Sequence, residues 1–306
     1  MCQLMGMQAN NPTDFCFAFR GFHKRGGRTD RHVDGWGVGF FEGKGVRSFV
    51  DTLPSALSPV ASLICSYPIK TRTVIAHVRL ATHGDVRLEN VHPFSRELWG
   101  SYWIFAHNGD VPSAKDASRQ GMYKTVSTRY TPVGDTDSEA VFCFFLNHLL
   151  DVFPNGLPEV TDQERAGPSS MADVYEELGR VWRRLCEEHG VIFNFLLGQN
   201  GDTLFAGCWP GARPGSEVWN SLYFTVREFP FTTYRLVDED CEVDFSTIAS
   251  PSDRVAVIAT APLTTNEVWC EMARGDLFAF HSGQPFSTPE DFRHHLTRPK
   301  TVSHGK

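Results

Sequence analysis

Short apolar segments with strand character recur along this chain of 306 residues, and that recurrence limits the folds open to it. Two longer segments, 137–150 and 171–189, instead place apolar residues at helical spacing. Strands and helices in such blocks suit a pair of antiparallel sheets with helices on their outer faces, although periodicity alone leaves other α+β folds open. The strand-like segments are 3–8, 37–43, 72–79, 101–108, 191–197 and 255–260.

Composition narrows the classes of function. With 41% hydrophobic residues the chain can bury a large core, and one elaborate domain is the default expectation. The net charge is −7 and no long Lys/Arg run occurs, which argues against nucleic acid as a partner. Eight scattered cysteines without a CxxC pair are typical of reduced cytosolic thiols. No signal peptide or apolar run of about 18 residues is found, so we expect a soluble, cytoplasmic protein without a membrane partner.

Cys2 is the most suggestive residue, because removal of Met1 would place a thiol and a free α-amine on the same residue. An α-amine titrates near ~8, so it could accept the thiol proton without a histidine. The chain carries Met1, so the nucleophile interpretation requires processing. The alternative is that Cys2 is a small buried residue at the start of a strand.

Three further segments have a functional and a structural interpretation. Arg79, at the end of a strand, could hold a carboxylate or form a surface ion pair. Asn108 and Gly109 could stabilise an oxyanion or form a tight turn. Asp137 could hold a substrate ammonium group or cap the helix that begins near Ser138. Each motif is weak alone.

A metal site is a competing interpretation, since four histidines lie near these segments. None of them pairs at helical i, i+4 spacing, so we expect no metal and no cofactor. The four are His77, His83, His92 and His107.

In combination, the motifs resemble one family. Cys2 followed in order by HVRLATHG (77–84), NVHPF (90–94), HNGD (107–110) and TDSE (136–139) is similar to the class II, N-terminal nucleophile, glutamine amidotransferases, and most similar to stand-alone bacterial members of the YafJ type. The similarity extends over most of the chain, including DGWG at 34–37. It implies a four-layer αββα sandwich over residues 2–285, followed by a polar tail at 286–306.

The resemblance implies a role for each matching residue. Cys2 would be the nucleophile, and Asn108 and Gly109 the oxyanion hole. Arg79 and Thr82 would hold the α-carboxylate of glutamine.

The same resemblance assigns the α-amino group of glutamine to Asp137. Arg25 would correspond to an arginine that orients the N-terminal residue, although its loop is longer here than in synthase-linked members.

The implied activity is hydrolysis of the side-chain amide of L-glutamine through a γ-glutamyl thioester, releasing ammonia and glutamate. Hydrolysis of other γ-glutamyl amides or peptides is an alternative, and a non-catalytic glutamine-binding regulatory module is a second. The chain leaves no room for a synthase, so either a separate synthase subunit accepts the ammonia or the protein acts as a hydrolase of glutamine or another γ-glutamyl amide.

Overall fold

The computed structural model describes residues 2–67, 69–81, 84–114, 125–156, 170–213 and 215–297. Thr82 and His83 therefore lie outside the described residues, as do positions 298–306 of the expected tail.

Two antiparallel sheets form the centre of the described structure. In spatial order the first sheet contains β13 (Cys270–Glu271), β9 (Tyr223–Glu228), β12 (Arg254–Ala259), β1 (Gln3–Asp14), β4 (Lys70–Val78), β2 (Trp36–Glu42) and β3 (Gly45–Asp51). The second contains β15 (Gln284–Phe286), β14 (Asp276–His281), β8 (Thr203–Cys208), β7 (Ile192–Gln199), β6 (Ser101–Asp110) and β5 (Phe94–Leu98). A separate hairpin consists of β10 (Thr233–Arg235) and β11 (Glu242–Asp244).

Helices cover the outer faces of both sheets. Helices α1 (Cys16–Phe22) and α2 (Pro59–Ser66) pack on the first sheet. Helices α3 (Asp137–Val152), α4 (Met171–Cys186) and α5 (Pro289–Thr297) pack on the second. The predicted four-layer αββα sandwich is thus confirmed.

Strand periodicity explains how β1 serves two cores. Leu4 points into the apolar layer between the sheets, whereas Met5 packs with α1 and α2. Gly6 faces the second sheet, where a Cβ would lie 3.0 Å from a methyl carbon of Leu196. Glycine at this position therefore lets the two sheets approach closely near the N-terminal end of β1.

Local hydrogen bonds define the ends of two elements. Ser58 caps α2 by accepting a hydrogen bond from the Ala61 amide at 3.4 Å, and Glu42 pairs with Gly45 in the β2–β3 hairpin. Within the expected tail, α5 packs against α4 and buries Phe292 in the core. The domain boundary itself stays a prediction. Among the described residues, no helix is long and apolar enough to span a membrane.

Candidate active site

Cys2 immediately precedes β1, a central strand of the first sheet. Because Gln3 pairs with Val78 of β4, the Cys2 side chain lies beside the residues that follow β4, and its Sγ donates to the Leu80 carbonyl oxygen at 3.6 Å. The side chain is half-buried. Burial raises the pKa of the Cys2 thiol, and a backbone hydrogen bond at Leu80 and the positive charges of Arg79 and Arg213 oppose that rise. The thiol therefore lies in a partly desolvated site with two cations nearby.

Asn108 and Gly109 lie within strand β6, so the tight-turn interpretation is wrong. The Asn108 side-chain amide donates to the Cys2 carbonyl oxygen, which joins the two sheets at the site. Gly109 has φ 149°, and a Cβ there would lie 1.9 Å from the carbonyl oxygen of Ile192 on β7. Only glycine fits this approach of the two strands.

Arg79 directly follows β4 and is buried, so the surface ion-pair interpretation is wrong. Its guanidinium donates to backbone carbonyl oxygens that include those of Asp34 at 3.4 Å, Asp85 at 3.2 Å and Gly84 at 3.1 Å. These bonds fix the guanidinium that is expected to bind the α-carboxylate of glutamine. Thr82, the other residue expected to hold that carboxylate, lies outside the described residues.

Asp137 is the first residue of α3, and the residue that caps this helix is Thr136. The Thr136 hydroxyl accepts from the Glu139 amide at 3.3 Å, so Thr136 rather than Asp137 is the N-cap residue. The Asp137 carboxylate accepts from the Ser138 amide at 3.0 Å, in the first turn of the helix, and from the Val111 amide at 2.9 Å, just beyond β6. The bond to Val111 fixes the carboxylate next to the Asn108–Gly109 segment.

These separate segments meet around one small cavity of about 30 Å³. Six of the described residues have predicted roles, and four of them line this cavity: Cys2, Arg79, Gly109 and Asp137. These four come from different elements of the fold. His92 and His107 line the cavity as well. Asn108 reaches the same place through its bond to Cys2.

The histidines near the cavity are mainly packed within the protein. The rings of His77 and His92 lie 4.2 Å apart, and burial lowers the pKa of both well below the usual range, so both are neutral at neutral pH. A hydrogen bond of 2.8 Å joins His107 Nδ1 to the Ser138 hydroxyl. Within the ranges that the structure describes, no group of three or more His, Cys, Asp or Glu residues could hold a metal ion. His83, the fourth predicted histidine, lies outside those ranges.

Arg25 reaches the residue next to the nucleophile candidate. Its Nη1 donates to Gln3 Oε1 at 3.2 Å, and its Nε forms a 2.8 Å ion pair with Asp238. Thr260 donates to the same Gln3 oxygen at 2.6 Å. Arg25 therefore contacts Gln3, the first residue of β1. Its expected effect on Cys2 would act through this neighbouring residue.

Two contacts at the site have no individual signal in the sequence. The Asp34 carboxylate accepts from the Ala81 amide at 2.8 Å and so holds the segment after β4. Arg213, in the β8–β9 loop, donates to the Gly109 carbonyl oxygen at 2.9 Å. Asp34 belongs to the quoted DGWG segment, whereas Arg213 lies outside every quoted motif.

The sequence profile of the family described as class II glutamine amidotransferases matches residues 1–302. The chain belongs to this family. YafJ of Escherichia coli K12, which its name assigns to the glutamine amidotransferases, is 41% identical over 285 residues, covering 93% of this chain and 99% of that protein. A Haemophilus influenzae protein with a similar name is 41% identical over 284 residues, covering 93% and 85%.

Solved structures share the fold. A Pseudomonas aeruginosa crystal structure described as a predicted glutamine amidotransferase is 36% identical, covers 94% of this chain and all of that one, and has a TM-score of 0.66. Glutamine phosphoribosylpyrophosphate amidotransferase from B. subtilis has a TM-score of 0.55 at 14% identity and covers 93% of this chain and 48% of that one. The fold is that of the N-terminal nucleophile amidotransferases.

Proposed function

We propose that Cys2, after removal of Met1, is the nucleophile that hydrolyses the side-chain amide of L-glutamine. The observation that carries this proposal is the convergence of Cys2, Arg79, Gly109 and Asp137 on one cavity. The nucleophile candidate, a cation, an anion and a glycine backbone then lie around the same space. That set matches the charged ends and the reacting amide of an amino-acid amide.

Substrate charges would be held at two ends. Arg79 would bind the α-carboxylate by charge-assisted hydrogen bonds together with Thr82, and Asp137 would bind the α-ammonium group. Because Arg79 already donates to backbone carbonyl oxygens, oxygens of the substrate carboxylate would replace some of these acceptors. Fixing both ends places the side-chain amide at the thiol.

The chemistry would proceed through a thioester. The Cys2 α-amine takes the thiol proton, sulfur bonds to the side-chain carbonyl carbon, and the Asn108 amide and Gly109 N–H stabilise the oxyanion. The carbon–nitrogen bond then breaks, and the amine returns its proton to the departing ammonia. Water adds to the thioester, the carbon–sulfur bond breaks, and glutamate leaves while the thiol regains a proton. A separate synthase subunit would accept the ammonia.

Mass spectrometry tests the proposal directly. The protein from its native host is treated with a glutamine-mimicking diazoketone, and the N-terminal peptide is analysed. We expect a covalent adduct on Cys2 of a peptide that lacks Met1, and release of ammonia from L-glutamine by the untreated protein. Cys2→Ser should abolish both, whereas Cys241→Ser, at another half-buried cysteine, should change neither.

Three outcomes would contradict the proposal. Retention of Met1 in the native host would leave no free amine on Cys2. Labelling of another cysteine would move the nucleophile elsewhere. Glutamine binding without any turnover or labelling would favour the non-catalytic regulatory module.

A further inference from the structure

Arg213 lies in the loop between β8 and β9, which is anchored beside the oxyanion candidates. Asn194 on β7 pairs with Asn108 of β6 and is fully buried. Its side chain holds both ends of the loop, because it accepts from the Trp209 amide at 3.1 Å and donates to the Asn220 carbonyl oxygen at 3.2 Å. The two ends of the loop are therefore anchored beside Asn108.

The guanidinium of Arg213 contacts the backbone of Gly109, and it has no carboxylate partner among the described residues. Its Nη2 donates to the Gly109 carbonyl oxygen at 2.9 Å, and its Nε is buried without a hydrogen-bond partner among the described residues. A backbone carbonyl group offsets only part of a full positive charge. The guanidinium charge therefore stabilises negative charge on nearby groups. Cys2 is one group on which it acts, since Arg213 helps to lower the pKa of the Cys2 thiol against the effect of burial.

We propose that Arg213 is a positioning residue for catalysis, which fixes the Gly109 backbone and supplies a positive charge that favours the Cys2 thiolate and the oxyanion. This inference rests on the proposed role of Cys2. During attack, negative charge passes from sulfur to the carbonyl oxygen as the carbon–sulfur bond forms, and it stays close to the same cation throughout. Holding the Gly109 carbonyl also limits rotation about the residue whose N–H would stabilise that oxygen.

Two substitutions separate the charge from the hydrogen bond. Arg213→Met removes both while keeping an unbranched side chain, and Arg213→Lys keeps the charge. The matched control is Arg235→Met, at an exposed arginine paired with Glu242 on the β10–β11 hairpin. All variants are prepared without Met1, and thermal unfolding checks that each one is folded.

The first readout is the pH dependence of Cys2 alkylation by iodoacetamide, which needs no glutaminase turnover. In Arg213→Met we expect the alkylation midpoint to move to higher pH, because a charge that stabilises the thiolate is lost. Arg213→Lys should return the midpoint most of the way, and Arg235→Met should leave it unchanged. A simple structural role would not shift the midpoint of a folded variant.

The second readout is steady-state hydrolysis of L-glutamine. Arg213→Met should lower kcat about tenfold, the scale of one charge-assisted hydrogen bond, with KM changed by less than about threefold. An unchanged alkylation midpoint together with an unchanged kcat would overturn the inference, as would an effect confined to KM. If the native protein neither turns over glutamine nor reacts with the diazoketone, the proposed function fails, and the catalytic role of Arg213 fails with it. If the alkylation midpoint of Arg213→Met were still shifted in that case, Arg213 would affect the ionisation of Cys2 without a role in catalysis.

Discussion

Replacement of Gly109 by alanine is the sharpest test of the strand geometry at the site. The new Cβ would lie 1.9 Å from the Ile192 carbonyl oxygen, 2.6 Å from its carbon and 2.8 Å from His107 Nε2. Real Cβ atoms do not come closer than 3.0 Å, so β6 and β7 must separate by at least 1.1 Å, the difference between 3.0 and 1.9 Å. The positive φ adds backbone strain, because L side chains rarely adopt it.

A displacement of this size changes the position of both oxyanion candidates relative to the thiol. A misplacement of about 1 Å costs roughly 10²-fold in rate, so Gly109→Ala should lower glutamine turnover by about that factor or more. The assay is the initial rate of ammonia release from L-glutamine, with iodoacetamide alkylation of Cys2 measured in parallel. Alkylation should fall much less than turnover, because it does not need an oxyanion hole.

Gly45→Ala is the matched control, since Gly45 also lies in a strand but its Cβ would meet nothing closer than 3.5 Å. It should retain native activity. Turnover within about threefold of native in a folded Gly109→Ala protein would refute the role of this backbone in catalysis.

Three further predictions follow from the same contacts. Arg79→Lys removes a planar donor set, so kcat/KM for L-glutamine should fall at least about tenfold, while iodoacetamide alkylation of Cys2 changes little; equal losses in both assays would contradict a role in substrate binding. Asn108→Ala should lower turnover by about 10²–10³, and unchanged activity with Cys2 still essential would remove Asn108 from the mechanism. Burial holds the pKa of His77 and His92 well below 6.5, whereas unfolded histidines bind protons near that pH. The free energy of unfolding should therefore keep its full value above pH 6.5. Below that pH it should fall by up to about 2.7 kcal/mol per pH unit, about 1.36 for each histidine. Denaturant titrations at pH 7.0 and 5.5 that give equal free energies of unfolding would contradict this.

The layers of the fold could be predicted because their signals are local. Period-two alternation places Leu4 and Met5 of β1 in different cores, and helical spacing identifies α3 and α4. The residue that caps a helix is harder to predict, because the cap depends on which neighbouring side chain reaches the free amides. Thr136 takes that position at α3, and the Asp137 carboxylate accepts from the amides of both Ser138 and Val111.

The candidate site was predicted as a set of motifs, because the residue types resemble one family in the same order. Turn chemistry competed with that resemblance at Asn108 and Gly109. The pair Asn-Gly favours a tight turn locally, but pairing of β6 with β7 keeps it extended, and the close approach of Ile192 requires the glycine. Here tertiary packing overrides the local preference.

The sequence by itself determined the residue types of the site, their order and the layered fold, because these follow from periodicity and from motif resemblance. The tertiary structure decided which of them meet. It placed Cys2 beside Leu80 through the pairing of β1 with β4, and it brought Arg213 to Gly109 from a loop about a hundred residues away. Such contacts depend on which strands become neighbours and on where a loop is anchored, and both are decided only when segments far apart in the chain pack together.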